Sequence, residues 1–295
     1  MKTLLVPTDF SKNATQALHY AAGLASQVRG KLIIMHIINL PIVPIESSVV
    51  FRPDPALEQD YKKKLDKIAK KLQGENGFLF EVETVCRYGY LLVSLNELVS
   101  AKAADLVVMG TYGANNLVDK LVGTFTAEFI KQARCPVLVI PAKAKYTGIN
   151  RIVYASDFEK KESIFMRQLS KFTEALEAKI SIVNVQTKCQ KDNVSDEQLR
   201  RKVTRYFPAT NYGIVQVQYN NVVEGLRKFL QENKADVLAI AIQEHSFLEE
   251  LFYKSVSTEL IYHPTLPLLA LPQKPYQKLL KPRVKGSNQT SKPTQ

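Results

Sequence analysis

The chain is poor in the features that mark several large classes of protein. Its 295 residues contain three cysteines, Cys86, Cys135 and Cys189, odd in number and far apart. They match neither a metal-ligand spacing nor a disulfide framework. They read as small buried hydrophobes in a reducing compartment, so a cytoplasmic location is expected. No apolar run approaches the ~20 residues of a membrane helix, so no membrane partner is expected. Met1-Lys2-Thr3 leads straight into a strand-like run, so no signal peptide is expected. Gly-Lys-Ser/Thr occurs nowhere, which excludes a Walker A loop. His19 and His36 have no Cys, Asp or Glu partner at metal spacing and read as surface and core histidines. No Ser-His-Asp set surrounds a nucleophile elbow, and no residue stands out as a general base.

What is present is apolar and patterned. Hydrophobic residues make up 45% and charged residues 23%, the balance of a globular chain long enough for two domains. The net charge of +12 is uneven. Residues 273–295 hold Lys274, Lys278, Lys281, Arg283, Lys285 and Lys292 and no acid, half of the total. Rich in Pro, Gln, Ser and Thr, this tail is expected to be disordered and solubilising. Apart from Tyr276 it has no stacking aromatics, so nucleic acid is not expected as a partner.

From the start, Lys2 to Val6 reads as a strand, followed by Ser11 as a helix N-cap. Ala14, Ala17, Leu18, Ala21, Ala25 and Val28 share a helical face, with Gly30 at the expected C-terminal position. Leu32 to Ile38 is a continuous apolar strand, as in a parallel sheet covered on both faces. Leu57, Tyr61, Leu65, Ile68 and Leu72 mark a helix closed by Gly74. Phe78 to Cys86 alternates as a strand, and Leu91 to Ala101 is helical. Alternating strands and helices with right-handed crossovers give a doubly wound parallel α/β sheet, with ligand expected at the carboxyl ends of the strands.

The stretch from Ala104 to Pro141 carries the chemistry. An apolar run, Leu106 to Met109, ends in Gly110 and Gly113. Nine residues later come Gly123 and Thr124, then a helical pattern from Phe125 and a second apolar run, Pro136 to Ile140. Glycines where a strand ends and a helix begins suit a phosphate: backbone N–H groups are free, the helix dipole favours an anion, and no Cβ holds oxygens away. Thr124 adds a hydroxyl donor.

The chain then repeats itself. Leu4 to Phe10 aligns with Ile152 to Phe158 at an offset of 148 residues (Asp9 to Asp157), and Lys31 to Ile37 with Lys179 to Val185 at the same offset. Ala104 to Pro141 aligns with Ala235 to Pro272 at an offset of 131 (Asp105 to Asp236). This predicts two tandem domains, 1–142 and 149–272, before the basic tail 273–295. In the second copy Ala241, Glu244, Lys254 and Ser255 replace Gly110, Gly113, Gly123 and Thr124, so its phosphate loop is degenerate.

Gly-x2-Gly-x9-Gly-Thr between two apolar runs, ending in Cys-Pro-Val-Leu-Val-Ile-Pro, resembles the ATP-binding signature of the universal stress protein family, and the resemblance spans nearly all of 1–272. It implies a Rossmann-like, adenine nucleotide alpha hydrolase-like fold, with ATP or AMP as cofactor and Mg2+ held through the phosphates. By carry-over the ribose falls to Asp9 after Thr8, and the base to the backbone of Ile37, where any apolar residue would serve. Met109, Gly110, Gly113, Gly123, Thr124 and Phe125 complete the nucleotide site. Tyr112 stands where the family often has His or Arg. His36-Ile37-Ile38-Asn39 is not the His-Ile-Gly-His of related nucleotidyl transferases. The implied function is a stress-response regulatory protein without dedicated catalysis. The rivals are a slow ATPase or self-phosphorylating protein, with Thr124 or Thr126 as acceptor, and a nucleotide-independent scaffold. Both copies end in a short apolar strand, 135–141 and 266–272, at a domain edge. Family members with one domain pair such edges, which implies an intramolecular pseudo-dimer and leaves room for a further homodimer.

Overall fold

Leu4, Leu5 and Val6 are wholly buried, and around them the sheet grows in both directions. The structure is a computed structural model that describes residues 1–40, 52–74, 79–111, 124–158, 162–187, 200–201, 203–207, 211–242 and 266–275. Residues 1–140 give β1 (Thr3–Pro7), α1 (Lys12–Gln27), β2 (Lys31–Asn39), α2 (Pro55–Gly74), β3 (Glu81–Gly89), α3 (Leu91–Ala101), β4 (Leu106–Gly110), α4 (Thr124–Gln132) and β5 (Val137–Ile140). Then follow β6 (Arg151–Ala155), α5 (Glu162–Leu176), β7 (Lys179–Gln186), β8 (Tyr212–Gln218), α6 (Val222–Asn233), β9 (Val237–Ile242) and β10 (Leu268–Pro272). The basic tail beyond Pro275 lies outside the described residues.

Among the described residues, all ten strands form one sheet in the order β3-β2-β1-β4-β5-β10-β9-β6-β7-β8. Every pairing is parallel except β5 with β10, where Leu268 faces Val139 and Ala270 faces Val137 in antiparallel register. Each half is therefore a five-stranded, doubly wound unit, and the last strand of each lies at the seam. Val137, Leu138, Leu269 and Leu271 are all wholly buried, so the apolar edges cover one another. Leu18, Leu65 and Phe165 bring α1, α2 and α5 onto one face. Leu95, Phe129 and Leu226 bring α3, α4 and α6 onto the other. Helix α4 also lies against β10, so the first half's last helix covers the second half's last strand.

The same local devices recur in both halves. Asp105 Oδ2 accepts from the Lys2 and Thr3 amides at 2.7 and 3.0 Å. Asp236 Oδ2 accepts from the Asn150 and Arg151 amides at 2.8 and 2.9 Å. Left-handed backbone also comes in matched pairs: Phe10 and Phe158, Arg29 and Glu177, Ala103 and Lys234.

Gly30 does not take the left-handed position that ends α1. Arg29, with φ 48°, takes the left-handed position, and the Gly30 amide reaches back to the Ala25 carbonyl at 2.8 Å. Gly30 is instead required because a Cβ there would stand 2.7 Å from the Lys2 carbonyl oxygen. The third strand begins at Glu81, after Leu79 and Phe80 of the expected strand, while Phe78 lies outside the described residues; Leu57 is 41% exposed on α2.

The connection after β5 is irregular but tightly held. Gln16 Nε2 donates to the Ala144 carbonyl, and the Tyr146 hydroxyl donates to Gln27 Oε1. Gln27 also accepts from the Ile149 amide at 3.3 Å, and its Nε2 reaches the Leu176 carbonyl of α5 at 3.4 Å. One side chain of α1 thus touches the connection and the second half together.

Candidate functional site

The strand order reverses at β1, which has β2 and β3 on one side and β4 and β5 on the other. Crossovers leave β1 and β4 in opposite directions there, opening a crevice at their carboxyl ends. The β1 side of the crevice is a tight turn. The Thr8 amide donates to the Met35 carbonyl at 2.8 Å, and Thr8 Oγ1 accepts from the Phe10 amide at 3.0 Å. Asp9 Oδ1 accepts from the Ser11 amide at 2.9 Å, and Ser11 Oγ caps α1 through the Ala14 amide at 3.2 Å. These bonds hold Phe10 at φ 63°, a costly conformation for a residue with a bulky side chain. Asp9 is left exposed at the start of α1, where the helix dipole favours an acid.

The β4 side is built from Met109, Gly110 and the first turn of α4. Met109 is buried on the face of α3 and α4, which Ile37 of β2 shares. Phe125 is half-buried against the same cluster. Thr126 is buried, and its Oγ1 donates to the Gly110 carbonyl at 3.1 Å, tying α4 to the end of β4. A Cβ at Gly110 would stand 2.9 Å from the Asn13 carbonyl oxygen. The glycine therefore lets α1 begin against β4, a demand of the fold that holds before any ligand enters. Thr124 opens α4, while Gly113 and Gly123 lie outside the described residues.

Of the sequence-predicted residues, the structure brings Thr8, Asp9, Met109 and Gly110 to the carboxyl ends of adjacent strands, with Ile37 in the next strand. The exposed Asp9 carboxylate can accept from hydroxyl groups. Ile37 and Met109 are buried, at 7% and 4% exposure, and form an apolar floor under the crevice, and the first turn of α4 has amide N–H groups suited to an anion. Among the described residues, no group of three His, Cys, Asp or Glu is placed to hold a metal. Among the described residues, no helix is long and apolar enough to cross a membrane.

A family model described as the Universal stress protein family matches residues 1–141. Universal stress protein MJ0531 of Methanocaldococcus jannaschii is 30% identical over 147 residues, spanning 49% of this chain and 84% of that protein. This chain belongs to the universal stress protein family. Universal stress protein MJ0577 of the same organism is 26% identical over 158 residues, covering 48% of this chain and 96% of its own length. The crystal structure of a universal stress protein from Archaeoglobus fulgidus DSM 4304 covers 92% of this chain and 96% of its own, with a TM-score of 0.65 at 16% identity. That likeness extends the shared fold across both halves.

Three functional neighbours escape a reading by motif. His36 Nδ1 donates to the Thr8 carbonyl at 2.8 Å, Asn13 presses on Gly110, and Thr126 holds the Gly110 carbonyl. Burial of His36 lowers its pKa below the usual 6.5, and Lys64 adds to the effect against the opposing Thr8 carbonyl and Asp9. The sequence does contain a signal for His36, since the repeat sets Asn184 at its place. In the second half Ser156, Asp157 and Phe158 repeat the β1 turn, and Phe158 N–H donates to Ser156 Oγ at 3.0 Å. There the serine hydroxyl is also engaged: it donates to Glu162 Oε1 at 2.6 Å, while the buried Tyr154 hydroxyl donates to Glu162 Oε2 at 2.8 Å. Ala14 occupies the position of Glu162 in the first half. Glu244, Lys254 and Ser255 lie outside the described residues.

Proposed function

We propose that the chain is a cytoplasmic stress-response regulator that binds one adenine nucleotide, ATP or AMP, in its first half and has no dedicated catalytic apparatus. The observation that carries this reading is the meeting of Thr8–Asp9 with Met109–Gly110 at the carboxyl ends of two neighbouring strands, beside the start of α4. The residues fit such a ligand. Asp9 would take ribose hydroxyls, Ile37 would meet the base through its backbone with Met109 lining the nucleotide, and Gly110, Gly113, Gly123 and Thr124 would receive the phosphates, with Phe125 behind them. Divalent metal would travel with the phosphates, since a triphosphate supplies hard oxygen ligands itself. Thr126 is unsuited to accept a phosphoryl group, because its hydroxyl is buried and already bonded to the Gly110 carbonyl.

In this reading residues 1–142 and 149–272 act as two domains of a pseudo-dimer, supported by the antiparallel seam of β5 and β10 and by the paired devices of the two halves. Calorimetry of the full chain against ATP, AMP, GTP and buffer tests the proposal. One adenine nucleotide should bind per chain, and Gly113→Glu should abolish binding with an unchanged melting temperature. Two sites per chain, or none, would overturn it.

A further inference from the structure

At the carboxyl end of β7 the second half differs from the first by an exchange of sizes. By strand register, Tyr219 follows β8 where Gly89 ends β3, and by the left-handed residues Lys234 and Ala103, Gly225 of α6 matches Ser94 of α3. In the first half the strand position is bare and the helix carries the side chain: a Cβ at Gly89 would stand 2.6 Å from Ser94 Oγ. In the second half the strand end carries a ring and the helix is bare. A Cβ at Gly225 would stand 2.7 Å from Tyr219 Cδ2 and 2.6 Å from Val185 Cγ1. The phenol ring therefore lies in a slot made by Gly225, against Val185. One turn along α6, Lys228 Nζ sits 5.7 Å from the ring centroid. Val185 is the counterpart of Ile37, the residue assigned above to the base.

We infer that the carboxyl end of β7 is a second ring-binding slot, suited to the flat base of an adenosine-like nucleoside and occupied by the chain's own Tyr219. The inference rests on the nucleotide reading of the first half for the class of ligand. The ring of Tyr219 has the two apolar faces of a base and is already attached, so no free nucleoside competes with it at ordinary concentration. Loss of the phosphate glycines in this half agrees with a slot that no longer receives a nucleotide. Removing the ring should leave a slot for the base and sugar alone.

The test is methyl NMR of the full chain, labelled at isoleucine and valine methyls and titrated with adenosine. In the wild type the Ile37 signal should shift and the Val185 signals should not. In Tyr219→Gly/Gly225→Ser, which installs the first half's pair, both should shift. Tyr219→Ala is the second variant should the double exchange impair folding, and Tyr219→Phe should behave as wild type because the ring closes the slot. Val185 signals that stay fixed in both ring-removing variants overturn the inference, as do Val185 signals that already shift in the wild type. A silent Ile37 beside a responsive Val185 in the variants would instead overturn the first-half reading and leave this one standing.

Discussion

His36 and Asn184 perform the same task in the two halves. His36 Nδ1 donates to the Thr8 carbonyl at 2.8 Å, and Asn184 Nδ2 donates to the Ser156 carbonyl at 2.9 Å. Each bond fixes the turn that follows the first strand of its half. Only the histidine can change charge near neutral pH.

That difference predicts a pH effect confined to the first half. His36 lies 4.4 Å from the Tyr61 ring and 4.6 Å from the Phe10 ring, with Lys64 over Phe10 and Asp9 at the turn. Its pKa is lowered, foremost by burial. Below the unfolded value of 6.5 the unfolded chain binds more protons than the native one, so the stabilising contribution is complete above 6.5 and is lost as the pH falls. The resistance of the wild type to urea should therefore fall between pH 7 and about pH 5.5 more steeply than that of His36→Asn. Parallel pH profiles for the two proteins would refute the assignment.

The carboxylates of Asp105 and Asp236 predict matched losses. Each takes two backbone amides at the start of its half's first strand. Replacing either by Ala exchanges the carboxylate for water at amides that are mostly exposed, at a cost of about 1 kcal/mol. Because one sheet runs through both halves, each variant should unfold in a single transition at lower denaturant. Two separate transitions would show that the β5–β10 seam does not couple the halves.

The element order of residues 1–140 was legible because buried parallel strands are continuous apolar runs and α1 keeps one apolar face. The strand before Asp157 was legible in the same way, as the apolar run Ile152 to Ala155. Helix ends were less legible. Propensity places glycine at the left-handed position, whereas Arg29, Ala103, Glu177 and Lys234 take it here under tertiary control. Gly110 shows the limit most clearly. Its spacing marks the site, but its contact with Asn13 depends on α1 crossing β4, which no local pattern encodes.

Gly23 gives a prediction about the connection between the halves. A Cβ there would stand 2.3 Å from Tyr146 Cδ1, and the Tyr146 ring packs edge-on to Tyr20 at 5.0 Å. Gly23→Val should push Tyr146 out and cost about 1–3 kcal/mol through overpacking. Limited proteolysis should then cut within residues 142–149 faster than in the wild type. Adding Tyr146→Ala should restore much of the loss, and a double variant no better than the single one would place the clash elsewhere.

Gly110 separates two reasons for one glycine. If the residue serves only a phosphate, Gly110→Ala should weaken nucleotide binding and leave the melting temperature alone. The Asn13 carbonyl, 2.9 Å from the added Cβ, is backbone in the turn that opens α1 and cannot swing aside. The start of α1 must therefore move, carrying with it the Ser11 cap and the Asp9 turn that Ser11 closes. Gly110→Ala should lower stability by about 1–3 kcal/mol even without ligand. Ala241, the counterpart in the second half, is buried with its methyl in place, and Ala241→Gly should cost only about 0.5–1 kcal/mol. Thermal melts of the two variants without nucleotide decide the matter: an unshifted melt for Gly110→Ala would return the glycine to the phosphate alone.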